Sequence, residues 1–147
     1  MNRTLVAISF FVIFSSLGCA ASVPMATKEQ DIAAKKFTSP ASGSRIYLFR
    51  DETFGYAISM PVVLDGKVVG GTAAQTYFMW NVTPGQHQIQ SLTENISAVT
   101  LDTSAGKTYF VWQEVKMGFA QARSDLQVVD EVRGRKSVAQ CKLIKSP

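Results

Sequence analysis

The sequence predicts a mainly β fold, an antiparallel β-sandwich or small barrel with a short C-terminal helix. Three observations indicate this class: short runs rich in β-branched and aromatic residues, glycine-containing turn signals between them, and helical spacing of apolar residues near the C-terminus. Many short strands separated by turns are typical of antiparallel sheets. A chain of 147 residues has room for one domain of this kind.

The first 18 residues are expected to be an export signal. Arg3 supplies one positive charge, and residues 5–17 carry none. A membrane-spanning helix needs roughly 20 apolar residues, so this shorter run suits the apolar core of a signal peptide. The run ends in Ser16-Leu17-Gly18-Cys19, which resembles the bacterial lipobox, although leucine is more usual at the first position. We therefore predict cleavage between Gly18 and Cys19 and acylation of the Cys19 thiol.

Acylation at Cys19 predicts that the protein is anchored in a membrane, and the next residue indicates which membrane. Two or more acyl chains, such as palmitate, bind almost permanently, because each buried methylene contributes roughly 0.8 kcal/mol. Ala20 is not the aspartate that resembles an inner-membrane retention signal. This favours the outer membrane of a Gram-negative organism, with the domain facing the periplasm. The alternative is ordinary secretion, with cleavage in the alanine-rich stretch after Cys19.

Residues 19–43 are expected to be the lipidated N-terminus and a flexible tether, ahead of a β-sandwich domain over residues 44–147. The stretch is rich in Ala, Ser, Thr and Pro, a composition typical of spacers. Within it, residues 28–37 have the pattern of a short helix, since Thr27 and Gln30 have the spacing of a capping box.

Eight runs after the tether have strand character. In order they are residues 45–50, 61–64, 67–69, 76–82, 86–92, 96–103, 107–115 and 125–130. We expect three hairpins, with turns at Asp65-Gly66, at Pro84-Gly85 and at residues 104–106. The run 107–115 is apolar on both faces and is therefore the candidate for a central strand. A short helix over residues 134–144 is expected to pack on the sheet.

His87 and Cys141 are the two residues that suggest catalysis. His87 is the single histidine, and Cys141 is the thiol that remains once Cys19 is acylated. A zinc site needs three or four ligands, so no metal and no cofactor are expected. The sharpest enzyme hypothesis is a nucleophile dyad of His87 and Cys141. Against it, Cys141 lies on the apolar stripe of the expected helix, where a buried thiol is inert, so we expect no catalytic residue.

The formal net charge of +4 reflects a modest, scattered excess of basic residues. Their densest stretch lies near the C-terminus and has no aromatic residue within it: Arg133, Arg135, Lys136, Lys142 and Lys145. This pattern is typical of a solvated face rather than a nucleic-acid surface. We expect contact with the membrane through the lipid on Cys19, an envelope protein or wall glycan as the partner, and no nucleic acid.

Several strings of the sequence have a characteristic order and spacing. They are Lys36-Phe37, Arg45-Ile46-Tyr47-Leu48-Phe49-Arg50, Val63-Leu64-Asp65-Gly66-Lys67-Val68-Val69-Gly70, Tyr77-Phe78, Pro84-Gly85-Gln86-His87 and Ala105-Gly106-Lys107-Thr108-Tyr109. Together they resemble a bacterial lipoprotein family known as a domain of unknown function (number 2846), and the middle stretch is similar to PEGA-type surface domains. The resemblance spans residues 36–144 and implies a small β-sandwich on a lipid anchor. No activity is established for that family, so the resemblance implies a role for Cys19 alone, as the lipidated residue.

The leading functional hypothesis is a non-enzymatic, lipid-anchored protein of the cell envelope that binds a partner. The alternative is an envelope enzyme that uses Cys141 or His87. A third class is a structural stabiliser of a larger envelope complex.

Overall fold

Two β-sheets face each other in the computed structural model, which describes residues 22–146. In chain order the elements are α1 (Lys28–Ala34), β1 (Ser44–Arg50), β2 (Met60–Leu64), β3 (Lys67–Thr72), β4 (Thr76–Val82), β5 (Gly85–Leu92), β6 (Ile96–Thr103), β7 (Thr108–Lys116), β8 (Arg123–Val129), α2 (Glu131–Gln140) and β9 (Lys142–Leu143). This confirms the predicted sandwich with a short helix near the C-terminus. The predicted cleavage site at Gly18 and Cys19 lies outside the described residues.

The sheets have the strand orders β8-β7-β1-β4-β9 and β3-β2-β5-β6. The smaller sheet is antiparallel throughout. The larger sheet is mixed, because β1 runs parallel to β7 and β4 runs parallel to β9. Within residues 22–146, no helix is long and apolar enough to cross a bilayer.

The larger sheet is buried on both faces. Its inner face packs on the smaller sheet around residues such as Leu48, Phe78 and Val111, and its outer face packs under the two helices around Tyr47 and Phe110. The interior position predicted for the run 107–115 is confirmed, since β7 lies between β8 and β1. A strand covered on both sides needs apolar residues at successive positions, which is the pattern that the sequence shows.

One of the three predicted hairpins is confirmed and two are wrong. β2 and β3 pair through a two-residue turn in which both Asp65 (φ 50°) and Gly66 (φ 79°) have positive φ, as such turns require. β4 and β5 belong to different sheets, and so do β6 and β7. At these two connections the chain crosses from one sheet to the other, at Gly85 and Gly106, which also have positive φ. The hairpins that form instead are β5–β6 and β7–β8.

The stretch expected to be a flexible tether makes contacts with the domain in its described part. Val23 packs against the core between the sheets, and the backbone N–H of Ala26 donates to the carbonyl of Leu143 (3.0 Å). Helix α1 begins with the predicted capping box of Thr27 and Gln30. Apolar residues spaced along a low-complexity stretch therefore cover the open edge of the sandwich.

The C-terminal helix begins and ends earlier than predicted. Helix α2 starts after Asp130, whose carboxylate accepts from the backbone N–H of Arg133 (2.9 Å), and it ends before Cys141. The chain then forms the short strand β9 beside β4. Two residues of the predicted solvated basic face lie over aromatic rings: the guanidinium of Arg133 is 4.1 Å from the centre of the Trp112 ring, and that of Arg135 is 4.9 Å from Phe37.

Candidate functional site

Several loops leave the sandwich at the same end. β1 ends at Arg50, opposite Thr76, where β4 begins. Since β7 runs parallel to β1, it also ends on this side. The connections β1–β2, β3–β4 and β7–β8, which are residues 51–59, 73–75 and 117–122, therefore lie together. We call this side of the molecule the loop end.

Four large apolar side chains are exposed on two of these loops. The exposed fraction is 55% for Phe54, 57% for Tyr56, 81% for Met117 and 101% for Phe119. Phe54, Met117 and Phe119 line one shallow depression between the two loops. We call these four residues the apolar tip. Clustered apolar side chains left in water are typical of a surface that contacts another protein, a ligand or a membrane.

A buried arginine holds the first of these loops. The side chain of Arg50 is completely buried, and its guanidinium donates to the carbonyl oxygens of Phe54 (3.1 Å), Gly55 (2.5 Å) and Ile58 (2.8 Å). The turn is closed by the N–H of Ile58, which donates to the carbonyl of Gly55 (2.9 Å). A buried charge is costly unless it is hydrogen-bonded, so Arg50 fixes the loop in the one shape that satisfies it.

Glu52 joins the same loop to β7. Its Oε1 accepts from the backbone N–H of Val115 (3.4 Å). Its Oε2 and the Nε of Arg50 have no hydrogen-bond partner among residues 22–146. Burial raises the pKa of Glu52 and lowers that of Arg50, while the attraction between their charges opposes both shifts. The start of this loop is thus attached to the domain by the buried Arg50 and the half-buried Glu52.

A single carboxylate holds the second loop. Glu94, in the β5–β6 turn, accepts hydrogen bonds from the backbone N–H groups of Phe119 (3.0 Å), Ala120 (2.7 Å) and Gln121 (2.9 Å). These three bonds lower the pKa of Glu94 to about 2, because they stabilise the charged form. At Gly118 a Cβ atom would lie 1.8 Å from the carbonyl oxygen of Gln121, so the turn is too tight for a side chain there.

A buried polar ladder fixes the two sheets to each other below the loop end. Gln113 on β7 accepts from the hydroxyl of Thr72 (2.5 Å) and donates to the hydroxyl of Ser91 (2.6 Å). The hydroxyl of Ser124 on β8 also donates to Ser91 (2.7 Å). A satisfied polar network in a core specifies one arrangement of the groups that it joins. The apolar tip is therefore presented by a scaffold whose two layers are locked in register.

His87 lies at the opposite side, which we call the far end, where residues 65–66, 83–84 and 104–107 connect the strands. Its Nδ1 is 2.6 Å from a carboxylate oxygen of Asp65, and its Nε2 is 2.8 Å from the carbonyl oxygen of Thr83. Burial disfavours the charged imidazole, but the hydrogen bonds to Asp65 and Thr83 outweigh it and raise the pKa of His87. Both ring nitrogens thus join the β2–β3 turn to the β4–β5 connection.

Cys141 is separated from His87. It lies at the end of α2, and its side chain is 1% exposed because it packs between the helices and the outer face of the larger sheet. Its Sγ lies 3.6 Å from the carbonyl oxygen of Arg50. Burial raises the pKa of the Cys141 thiol to about 12, and nearby carboxylates add to the shift. The nucleophile dyad of the alternative enzyme hypothesis does not form, because both nitrogens of His87 are bound to other groups. In residues 22–146, no cluster of His, Cys, Asp and Glu could hold a metal ion.

The apolar tip was missed at the sequence level. Its residues flank Gly55 and Gly118 in the strings Phe54-Gly55-Tyr56 and Met117-Gly118-Phe119. A large apolar residue on each side of a turn glycine, outside any alternating strand pattern, is the signal that could have identified both loops.

The fold and the loop end define a class: a two-layer β-sandwich with helices on one outer face and an apolar surface built on held loops. The chain belongs to the family described as protein of unknown function (DUF2846), which it matches over residues 40–125. This match includes both loops of the apolar tip and ends before α2. The chain is also 33% identical, over 132 residues, to an uncharacterized protein of Haemophilus influenzae (strain ATCC 51907 / DSM 11121 / KW20 / Rd), covering 88% of this chain and 79% of that protein. No solved structure matches it.

Proposed function

We propose that the protein is a lipid-anchored module of the bacterial cell envelope that acts by binding, through the apolar tip, and not by catalysis. In this account the chain is cleaved before Cys19 and acylated on its thiol. The anchored chain belongs to the outer membrane and faces the periplasm, because Ala20 stands where an inner-membrane retention signal would have aspartate.

The observation that supports a binding role is the construction of the loop end. Arg50 and Glu94 are charged side chains whose hydrogen bonds go to the backbone of the two loops. What these loops present is apolar, with Phe119 and Met117 the most exposed of the four side chains. Charged groups that order a loop around exposed apolar residues are expected where the loop contacts a partner.

Non-enzymatic action is supported by the surroundings of the two candidate catalytic groups. Cys141 is buried under α2, where its thiol stays protonated at neutral pH. His87 is engaged at both ring nitrogens at the far end. A nucleophile needs a base within hydrogen-bond reach, and neither residue provides one for the other.

In-cell photo-crosslinking tests the binding role. A photoreactive amino acid replaces Met117 in the apolar tip, and in a control strain it replaces Ala105, which is exposed in the connection at the far end. We expect an adduct with an envelope component from position 117 and none from position 105. Equal yields at the two positions, or no adduct at 117, would contradict a binding role for the tip.

A further inference from the structure

The described chain begins at the loop end. Ser22 and Val23 lie in a depression whose other side is formed by residues 73–76, the β3–β4 turn and the first residue of β4. From there the chain is attached to the domain: Val23 packs on the core between the sheets, and the carbonyl of Pro24 accepts from the backbone N–H of Lys145 (2.8 Å). The first described residues therefore lie beside one of the loops of the loop end.

Residues 19–22, which we call the stem, are all that joins the domain to the proposed anchor. Cys19 precedes Ser22 by three residues. A fully extended chain spans about 3.3–3.6 Å per residue, so a lipid on Cys19 holds Ser22 within roughly 11 Å of the attachment point. A domain on so short a stem cannot turn its loop end far from the membrane surface.

The apolar tip lies on the same end, two strands away from the turn 73–75. The turn 73–75 leads into β4, and the loop 117–122 follows β7, with β1 between these strands. Neighbouring strands are about 4.8 Å apart, so the turn 73–75 beside Ser22 is about 10 Å from the nearer side of the tip, and the stem lies farther out, because residues 24–26 run along the outer side of β9. The stem and the tip therefore lie at the same end of the domain.

We propose that the loop end rests on the bilayer that holds the lipid of Cys19, with the apolar tip inserted among the headgroups and the upper acyl chains. This inference rests on the proposed function, since it needs the anchor. The tip is a second, non-covalent point of attachment, and together with the lipid it fixes the orientation of the domain on the membrane.

The chemistry of the tip fits this occupant. Phe, Tyr and Met side chains suit the boundary between headgroups and acyl chains, and several backbone groups of the loops that carry them are hydrogen-bonded within the domain. Two exposed cations flank them, Lys116 and Arg123, and cationic side chains suit phosphate headgroups. The carboxylates around the tip are engaged by the domain: Glu94 is bound by three N–H groups, Glu114 pairs with Lys116 (2.8 Å), and Asp51 accepts from the hydroxyl of Ser137 (2.7 Å).

Depth-dependent quenching on the full-length lipoprotein tests the inference. The protein is purified in detergent and reconstituted into phosphatidylcholine vesicles with or without nitroxide-labelled lipids. An environment-sensitive fluorophore is attached at Phe119→Cys, and in the matched control at Ala105→Cys at the far end. Neither exposed side chain supports the fold, and the unsubstituted protein, with its buried Cys141, is the labelling blank.

We expect the nitroxide lipids to reduce the fluorescence at position 119 severalfold and to leave that at position 105 unchanged. Equal, weak quenching at the two positions would overturn the inference. So would shielding of position 119 without quenching in particles that sediment as dimers, because a second copy would then cover the tip. A tagged fatty acid, read on the same samples, separates the two claims: no lipid on Cys19 defeats the proposed function, whereas lipid without quenching defeats only the membrane contact.

Discussion

Cys141 shows how a residue's surroundings decide what its chemistry can do. A thiol reacts as the thiolate, and burial raises the pKa of Cys141 to about 12. In a secreted form that begins at Ala20, we expect a thiol reagent to modify Cys141 slowly in the folded protein and rapidly in urea. The control is Ala105→Cys with Cys141→Ala, whose exposed thiol should react rapidly in both states. Folded Cys141 that reacts as fast as this control would reopen the enzyme hypothesis.

His87 makes the stability of the domain depend on pH. An unfolded histidine has a pKa of about 6.5, and in the fold the bonds to Asp65 and Thr83 raise the pKa of His87 above it. The charged form therefore contributes stability that is fully present below the unfolded pKa and is lost as the pH rises through the folded one. We expect the free energy of unfolding in urea to fall between about pH 6 and pH 8.

The matched variant His87→Gln should show a smaller fall over the same range, because it has no proton to lose. Keeping the range below about pH 8 avoids ionisation of Cys141 in the unfolded chain. Identical pH profiles for the two proteins would mean that the bond between His87 and Asp65 adds nothing to folding.

Helix α2 depends on a glycine where helix propensity alone would favour alanine. A Cβ atom at Gly134 would lie 2.2 Å from the Cγ of Phe110, so the helix can approach β7 only because no side chain is there. Alanine is better than glycine in a helix by about 1 kcal/mol, but overpacking a core costs about 1–3 kcal/mol. We therefore expect Gly134→Ala to lower the melting temperature. Lys136→Ala, on the exposed side of the same helix, should leave it nearly unchanged, and a rise for Gly134→Ala would contradict this packing.

The loop over residues 117–122 depends on Glu94. Glutamine has one carbonyl oxygen and cannot replace a carboxylate that accepts three N–H groups. We expect Glu94→Gln to accelerate amide hydrogen exchange at Phe119, Ala120 and Gln121 with little change in the melting temperature. Glu131→Gln on α2 is the control and should leave these amides protected. Unchanged exchange in Glu94→Gln would show that the loop is held by other contacts.

The lowered pKa of Glu94 also predicts the pH range over which the loop 117–122 is ordered. A lowered pKa gives stability that is present above the unfolded value of about 4.3 and is lost as the pH falls towards 2. The loop amides should therefore be equally protected throughout the neutral and mildly acidic range.

At the scale of the whole molecule, the sequence predicted the strands better than their partners. The runs and the Asp65-Gly66 turn are local features, so their pattern could be read directly. The connections at Gly85 and Gly106 have the same turn residues but cross between sheets, because strand pairing is decided by packing far along the chain. The described part of the stretch 19–43 has the composition of a spacer. Its contacts with β9 and the core depend on residues far along the chain, so the sequence did not indicate them.

The candidate site was less predictable than the fold. Sequence reasoning pointed to His87 and Cys141 because they are chemically distinctive, and the fold uses one to join loops and buries the other. The sequence pattern around Gly55 and Gly118 marks the two loops but not their exposure, and it is exposure that makes Phe119 unusual. Exposure depends on how Arg50 and Glu94 hold the loops, which is a tertiary property.

Metabolic labelling with a tagged fatty acid tests most directly whether Cys19 joins this domain to a membrane, as we propose. The account predicts label on the wild-type protein and a mature N-terminus at Cys19. Cys19→Ser should give an unlabelled, uncleaved precursor. Label that persists in Cys19→Ser, or an unlabelled wild-type protein cleaved elsewhere, would contradict the account.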